Sequence, residues 1–373
     1  MAAVIDTPAD PVLAGLVDRV LDARSRKVGL DIGGGGTKTW YGGVPQGEPL
    51  DLRPLSGISS YEPSELVVTV RAGTPLATLE AKLAEAGQCL AFEPPRFAQG
   101  GTSGGTVGGM VASGLAGPAR ATAGAVRDHV LGLTMLNGKG ELLSFGGQVM
   151  KNVAGYDVSR LMAGSMGVLG LICEVSLKVL PQPPAIATLR FELDQAQALA
   201  QLNTWGGQPL PLSASAWWEG MLVLRLAGAA AAVQSAQQAL GGEGVEPVLA
   251  SDFWTGLRDH TDEFFIGAAK AVDGGATLWR LSVPQVAPPL KLSGEQLVEW
   301  GGAQRWLCTS APAATVREAA AAVGGHATVF RGADKSAGAF APLSDPLLRI
   351  HRQLKAAFDP DRVFNRGRLY ADL

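Results

Sequence analysis

The sequence predicts an α+β protein in two parts, and three observations carry that expectation. Residues 28–180 read as short strands broken repeatedly by glycine. The Pro-rich "PQPP" that follows is the best internal boundary. Beyond it the pattern runs β-α-β-β-α-β, the ferredoxin-like unit. A chain of 373 residues is long for one core, which agrees with two domains.

Each element has a local reason. "MAAVIDTPADPVLAGLVDRVLDARSRKV" predicts a first helix, capped near Asp10 with Pro11 at its first position. Acidic residues stand where a secretory leader needs a basic start, so no leader is expected. "ELVVTVRAG" reads as a buried strand. The helix "PLATLEAKLAEAG" follows, with Leu76, Leu79 and Leu83 at helical spacing and a stop at Gly87. "HVLGLTMLNGKGELLSFGG" reads as two strands joined at Asn137-Gly138, a hairpin signal. "LGLICEVSLKVLP" is a further strand ending at Pro181.

Past the boundary, "IATLRFEL", "LSASAWWEG" and "MLVLRLAG" read as strands, "DQAQALAQLNTW" and "AAAAVQSAQQALGG" as helices, and "VEPVLA" as a last strand. "ATLWRLSVP", "AQRWLCTS", the helix "AATVREAAAAVGG" and "ATVFRG" offer a second, partial set. The helix "DPLLRIHRQLKAAF" and the tail "DPDRVFNRGRLY" close the chain.

Net charge is −3 with no basic stripe, which argues against nucleic-acid binding. Hydrophobic residues make up 47% and charged ones 17%. Alanine and glycine richness explains most of that, and a surface covered by a partner protein would explain it too. No window reaches the roughly 18 apolar residues of a membrane span. Cys89, Cys173 and Cys308 are scattered, without any C-x-x-C, so reduced thiols are expected rather than an iron–sulfur cluster or structural zinc.

The stretch "GGTSGGTVGGMVASGLAGP" carries eight glycines in nineteen residues and no charge. A solvated linker would be richer in Ser, Glu and Lys, and the apolar run around Gly105-x-x-x-Gly109 is too short to span a membrane. A backbone cradle for an anion remains, with N–H groups exposed at a strand-to-helix turn. A second tract, "LDIGGGGTKTWYGG", places Gly33, Gly34, Gly35 and Gly36 before Thr37 and Lys38, suggesting two loops around one diphosphate. No G-x-G-x-x-G occurs, and the only Gly-Lys precedes another glycine, which disfavours the usual dinucleotide fold and the P-loop. A third segment, "VMKNVAGYDVSRLMAGSMGVLGLICEVSLKVLPQP", sets Gly155, Gly164, Gly167 and Gly170 before an alternating strand. Spacing alone leaves these glycines as turns or as part of a site.

Together these segments resemble the vanillyl-alcohol oxidase / p-cresol methylhydroxylase (PCMH) flavoprotein family. The two glycine tracts resemble its pyrophosphate loops. "GYDVSRLMAGSMGVLGLICEVSLKV" resembles its G-x-D-x-x-x-L-x-x-G-S-x-G-x-L-G-I-x-T-E signature, with Leu171 and Cys173 near positions where Ile and Thr are usual. "FDPDRVFNRGRLY" resembles the family's D-P-x-x-x-x-N-P-G-R end, with Arg366 in place of proline. Within the family, "KNVAGYD", "FEPPRF" and the short chain are similar to the FAD-binding E subunits of bacterial glycolate oxidase, also called glycolate dehydrogenase.

The resemblance implies a PCMH-type two-subdomain FAD-binding domain at 1–183, an inserted ferredoxin-like cap at 184–332, and a segment at 333–373 returning to the FAD domain. It implies noncovalent FAD, because no histidine lies in the first loop and Gly105 stands where cysteinyl-flavin relatives carry cysteine. It assigns Gly33, Gly34, Gly35, Gly36 and Thr37 to one pyrophosphate wall, and Thr106, Gly108, Gly109 and Ser113 to the other. Asp157, Gly164, Ser165, Gly167, Gly170 and Ile172 would line the adenosine and flavin side. Asn365 or Arg368 is expected near the meeting of cap and cofactor.

The implied partners are a larger FAD-containing catalytic subunit and an iron–sulfur subunit passing electrons to the membrane quinone pool. The implied location is cytoplasmic, peripheral at the inner membrane through that complex. Oxidation of a 2-hydroxy acid needs a cation for the carboxylate and a base for the hydroxyl proton. Candidates are Arg96, Arg120, Arg127 and Lys151 with His129, His326 and His351. The H-x-G-D-G-N-x-H sequence of metal-using relatives is absent, so no metal is expected and the catalytic residues stay unassigned. Two readings stand open: a working flavin oxidoreductase subunit acting on glycolate or another 2-hydroxy acid such as D-lactate, and an assembly subunit whose flavin only stabilises.

Overall fold

The computed structural model describes residues 3–5, 10–99, 102–147 and 157–373. Among them, one sheet runs in the order Ala3–Ile5, Leu142–Gly146, Val130–Leu136, Leu171–Lys178, Val67–Arg71, Ile58–Glu62, with every pairing antiparallel. The Asn137-Gly138 hairpin forms as expected, Leu136 facing Leu142. Val68 and Val70 pack with Leu76, Leu79 and Leu83 of helix Leu76–Glu85 and with Met110 and Val111 of helix Val107–Ser113. Helix Pro11–Arg26 begins as read, the Asp10 carboxylate accepting from Val12 N at 2.8 Å.

Beyond residue 184 an eight-stranded sheet follows: Glu243–Gly244, Ala185–Glu192, Met221–Gly228, Leu212–Trp218, Glu295–Glu299, Gln304–Thr309, Thr277–Ser282, His326–Arg331. The first four, numbered along the chain, stand in the order 4-1-3-2 of a ferredoxin-like unit. The other four mirror that order, and the halves join where Ala216 faces Glu299. The second half lacks one crossover helix, because Pro284, Pro288 and Pro289 interrupt the connecting segment.

The strand expected at "VEPVLA" is corrected. Glu246 accepts from Val248 N and Leu249 N at 2.9 and 3.0 Å, Pro247 takes the first helical position, and helix Pro247–Asp259 results. The edge strand shrinks to Glu243–Gly244.

After helix Asp345–Phe358 the tail crosses back to the first strands of the chain. Leu30 N donates to Val363 O at 2.7 Å and Asn365 N to Leu30 O at 2.9 Å. A buried lysine fixes that return. Lys355 Nζ donates to Val168 O, Asp359 Oδ2 and Phe364 O at 2.7, 2.8 and 2.9 Å, while Asp359 accepts from Val363 N and Phe364 N. Every hydrogen of the ammonium is thus used, which a buried charge requires.

Candidate functional site

An open cleft of about 890 Å³ lies where four segments converge: residues 31–39, 105–113, 166–172 and the tail. Strand Leu30–Gly33 ends at the glycine run, and its parallel partner Glu48–Asp51 fixes the direction in which the loop leaves. Among the described residues, the N–H groups of Gly34, Gly35, Gly36 and Thr37 find no protein partner. Four consecutive backbone donors without a protein partner, in residues that line a cleft, suit an anion nest.

The second loop is built differently. Gly108 N donates to Ala72 O and Val107 N to Thr74 O, so two of its donors serve the fold. A Cβ on Gly108 would lie 2.7 Å from Ala72 Cβ, whereas one on Gly109 would meet only Thr106 Oγ1, at 3.3 Å, and one on Gly33 would meet nothing within 4 Å. Gly108 is therefore small because the protein itself fills the space. This corrects the expectation that ligand approach explains both Gly108 and Gly109. Gly33 faces open space that a ligand can use, and Gly109 is crowded only by the Thr106 hydroxyl.

Lys38 closes one end of the nest. It lines the cleft with Nζ 3.5 Å from Thr37 Oγ1, and among the described residues it meets no carboxylate. Burial pushes its ammonium down to about 8. At the far side Asn365 accepts from Ile32 N and donates to Met166 O, both at 2.7 Å, and Arg368 donates to Thr39 O at 3.0 Å. Asp31 also lines the cleft; burial raises its carboxyl and the Arg368 charge opposes that rise.

Of the residues expected here, Gly33, Gly34, Gly35, Gly36, Thr37, Thr106, Gly108, Gly109, Ser113, Gly167, Gly170 and Ile172 line the cleft, as do Asn365 and Arg368. Asp157, Gly164 and Ser165 do not. Asp157 caps the short helix Val158–Leu161, Gly164 N donates to Val111 O, and Ser165 Oγ accepts from Gly167 N at 3.4 Å. Lys151 and Gly155 lie outside the described residues.

The remaining catalytic candidates are occupied elsewhere or exposed. Arg96 pairs with Glu80, His129 sits between the carbonyls of Ala123 and Lys178, Arg127 and His351 are on the surface, and His326 begins an edge strand. Arg120 stacks on Trp300 at 4.5 Å. The sequence reading overlooked His260, Arg280 and Arg331. No local motif marks them, and they meet only when the eight-stranded sheet packs on the 39–41 segment.

Comparison with known proteins gives this geometry a family. Residues 14–146 match the family described as FAD binding domain. The glycolate oxidase subunit GlcE of Escherichia coli (strain K12) is 48% identical over 358 residues, 96% of this chain and 97% of that one. The chain belongs to the GlcE family. Shorter stretches are similar to glycolate oxidase subunit GlcD of Bacillus subtilis, 40% identical over 21% of this chain and 17% of that one. A D-lactate dehydrogenase of Anaerostipes hadrus is 32% identical over 42% of this chain and 30% of that one.

Among solved structures, alkyldihydroxyacetonephosphate synthase matches with a TM-score of 0.63 over 94% of this chain and 74% of that one. At 13% identity it shows the shared fold. As a GlcE-family flavoprotein the chain has a PCMH-type FAD-binding domain, and its cofactor is FAD. The residues present fit that group: four consecutive backbone donors without a protein partner among the described residues, a lysine beside them that meets no carboxylate there, and Gly33 facing free space are what a diphosphate dianion needs.

Proposed function

We propose that this chain is the smaller FAD-binding subunit of a glycolate oxidase complex, oxidising glycolate to glyoxylate and passing electrons to an iron–sulfur partner. The observation that carries it is the nest of residues 34–37 with Lys38, in a chain 48% identical to GlcE along nearly its whole length. Bound FAD would accept the hydride of the alcohol carbon; the protein's part is positioning and charge.

In this reading Gly33, Gly34, Gly35, Gly36, Thr37 and Lys38 hold the diphosphate from one side, while Thr106, Gly109 and Ser113 enclose it from the other. Gly167, Gly170 and Ile172 line the same cleft; a Cβ on Gly167 would strike Asn365 and one on Gly170 would strike Met135, so these two glycines serve the packing of that wall. Met166, at φ +53°, turns its carbonyl onto Asn365 and so fixes the tail as a wall of the same cleft. Residues 1–183 and 333–373 act as the FAD domain and 184–332 as the cap.

Two measurements test this reading. The purified chain is expected to carry FAD that acid or heat releases, read by its visible spectrum before and after precipitation. Mixed with a larger flavoprotein subunit and an iron–sulfur subunit, it is expected to support glycolate-dependent dye reduction faster than D-lactate-dependent reduction. Complexes that turn over equally well when this chain's FAD cannot bind would leave it an assembly subunit and overturn the catalytic reading. A colourless chain that takes up no added FAD would overturn the cofactor reading.

A further inference from the structure

A second group of charges lies beside the cleft, around Phe97. Lys38 Nζ and the Arg331 guanidinium carbon each sit 5.7 Å from the centre of that ring. Arg331 also stacks on Trp40 at 3.9 Å. Arg280, on the paired strand Thr277–Ser282, donates to the Tyr41 hydroxyl at 3.2 Å. Among the described residues neither arginine meets a carboxylate, and Arg331 makes no hydrogen bond. Stacking on aromatic rings offsets part of the cost of taking a charge out of water, and burial lowers the Arg331 guanidinium from its ordinary value. Arg280 and Arg331 lie over one aromatic cluster, that of Trp40, Tyr41, Phe97 and Phe330, and both charges act on His260.

An independent feature marks the same seam. His260 stacks on Phe265 at 3.6 Å, meets Phe97 edge-on at 5.0 Å and lies tilted against Phe330 at 5.3 Å. Its Nδ1 is buried with no hydrogen-bond partner. Burial, reinforced by the charges of Arg331 and Arg280, holds the imidazole neutral well below its ordinary range. A buried, unpartnered ring nitrogen beside two unneutralised cations asks for a ligand with both a negative charge and a hydroxyl.

We infer that Arg280 and Arg331 hold the carboxylate of a small 2-hydroxy acid at this seam, with His260 Nδ1 accepting the hydrogen bond of its hydroxyl. The inference rests on the oxidoreductase reading above for the choice of acid. The diphosphate has its own donors in the 34–37 loop, while the seam offers two forked guanidiniums of the kind that grip a carboxylate. The aromatic walls of Trp40, Phe97 and Phe330 restrict the ligand to a few carbon atoms.

The test is titration calorimetry of the full-length chain with glycolate, acetate and glycolamide, supported by tryptophan fluorescence because Trp40 lies against Arg331. Glycolate is expected to bind, and uncharged glycolamide about tenfold or more weakly. R280M and R331M are each expected to weaken glycolate about tenfold while FAD content stays unchanged. H260F keeps the stack on Phe265 and is expected to abolish the preference for glycolate over acetate. Wild-type affinity in both arginine variants, or equal binding of glycolamide, overturns the site; an unchanged glycolate-to-acetate ratio in H260F overturns the role of His260. If R331M does not fold, R280M, which leaves the Trp40 stack intact, carries the same comparison. A chain that lacks FAD yet binds glycolate through these arginines would refute the oxidoreductase reading and leave this site standing.

Discussion

Gly109→Ala separates the demands of the cofactor from those of the fold. Its Cβ would press only on Thr106 Oγ1, at 3.3 Å, which must give by a few tenths of an ångström. Replacing glycine by alanine in a helix gains up to about 1 kcal/mol, which keeps the apo change within about 1 kcal/mol of zero. With FAD at 100 times its dissociation constant, ligand linkage stabilises the wild type by about 2.7 kcal/mol. A methyl group pressed against the diphosphate costs roughly 1–3 kcal/mol, enough to remove a third of that increment or all of it. Gly108→Ala is the control, because its Cβ lies 2.7 Å from Ala72 Cβ and 3.1 Å from Ala72 O. That variant is expected to lose about 1–3 kcal/mol in the apo state and to keep its FAD increment. Chemical denaturation of each protein with and without FAD reads both quantities. A Gly109→Ala protein with the full wild-type increment would refute the placement of FAD against this loop. A Gly108→Ala protein of normal apo stability would refute the packing argument.

Lys38→Met is expected to weaken FAD about tenfold, and ADP-ribose equally but riboflavin hardly at all, by fluorescence titration. Glu299 is buried against Trp306 Nε1 and Gln304 Nε2 with its carboxyl pushed up to about 7 by burial. It binds its proton more tightly folded than unfolded, so its contribution is complete below about pH 4.5 and is lost as pH rises through about 7. Glu299→Gln should flatten the fall in stability between those values, read as melting temperature against pH. Lys355→Met strips the buried Asp359 of its counter-charge and is expected to cost about 3–5 kcal/mol by chemical denaturation, with a matching loss of FAD retention.

What was legible in the sequence had local causes. Asp10-Pro11 starts a helix wherever it stands, Asn137-Gly138 turns a hairpin, and the glycine runs announce close backbone approach. Glu246-Pro247 was equally local and was overridden in the reading by the alternating "VEPVLA"; the cap residue decides, because it satisfies two backbone donors at once. The joining of two four-stranded halves at Ala216 and Glu299 left no such trace, since it pairs strands that are distant in the chain. The glycines gave the cleft's walls but not their division of labour, which depends on whether Ala72 or empty space lies opposite. His260 was hidden for a similar reason. It follows helix Pro247–Asp259 in a left-handed conformation, at φ +57°, and its aromatic neighbours come from four separate segments.

The return of the tail sets a timetable for the newly made protein. Asn365 bonds Ile32, 333 residues before it, and Met166, 199 residues before it, and a ribosome still covers Asn365 when most of the chain has emerged. The nest of residues 34–37 is synthesised early but gains this far wall only once Asn365 has left the ribosome. If FAD lies in this cleft as proposed, its capture waits on the 365–368 segment, and a chain truncated before Asn365 is expected to retain no FAD, read by its visible spectrum.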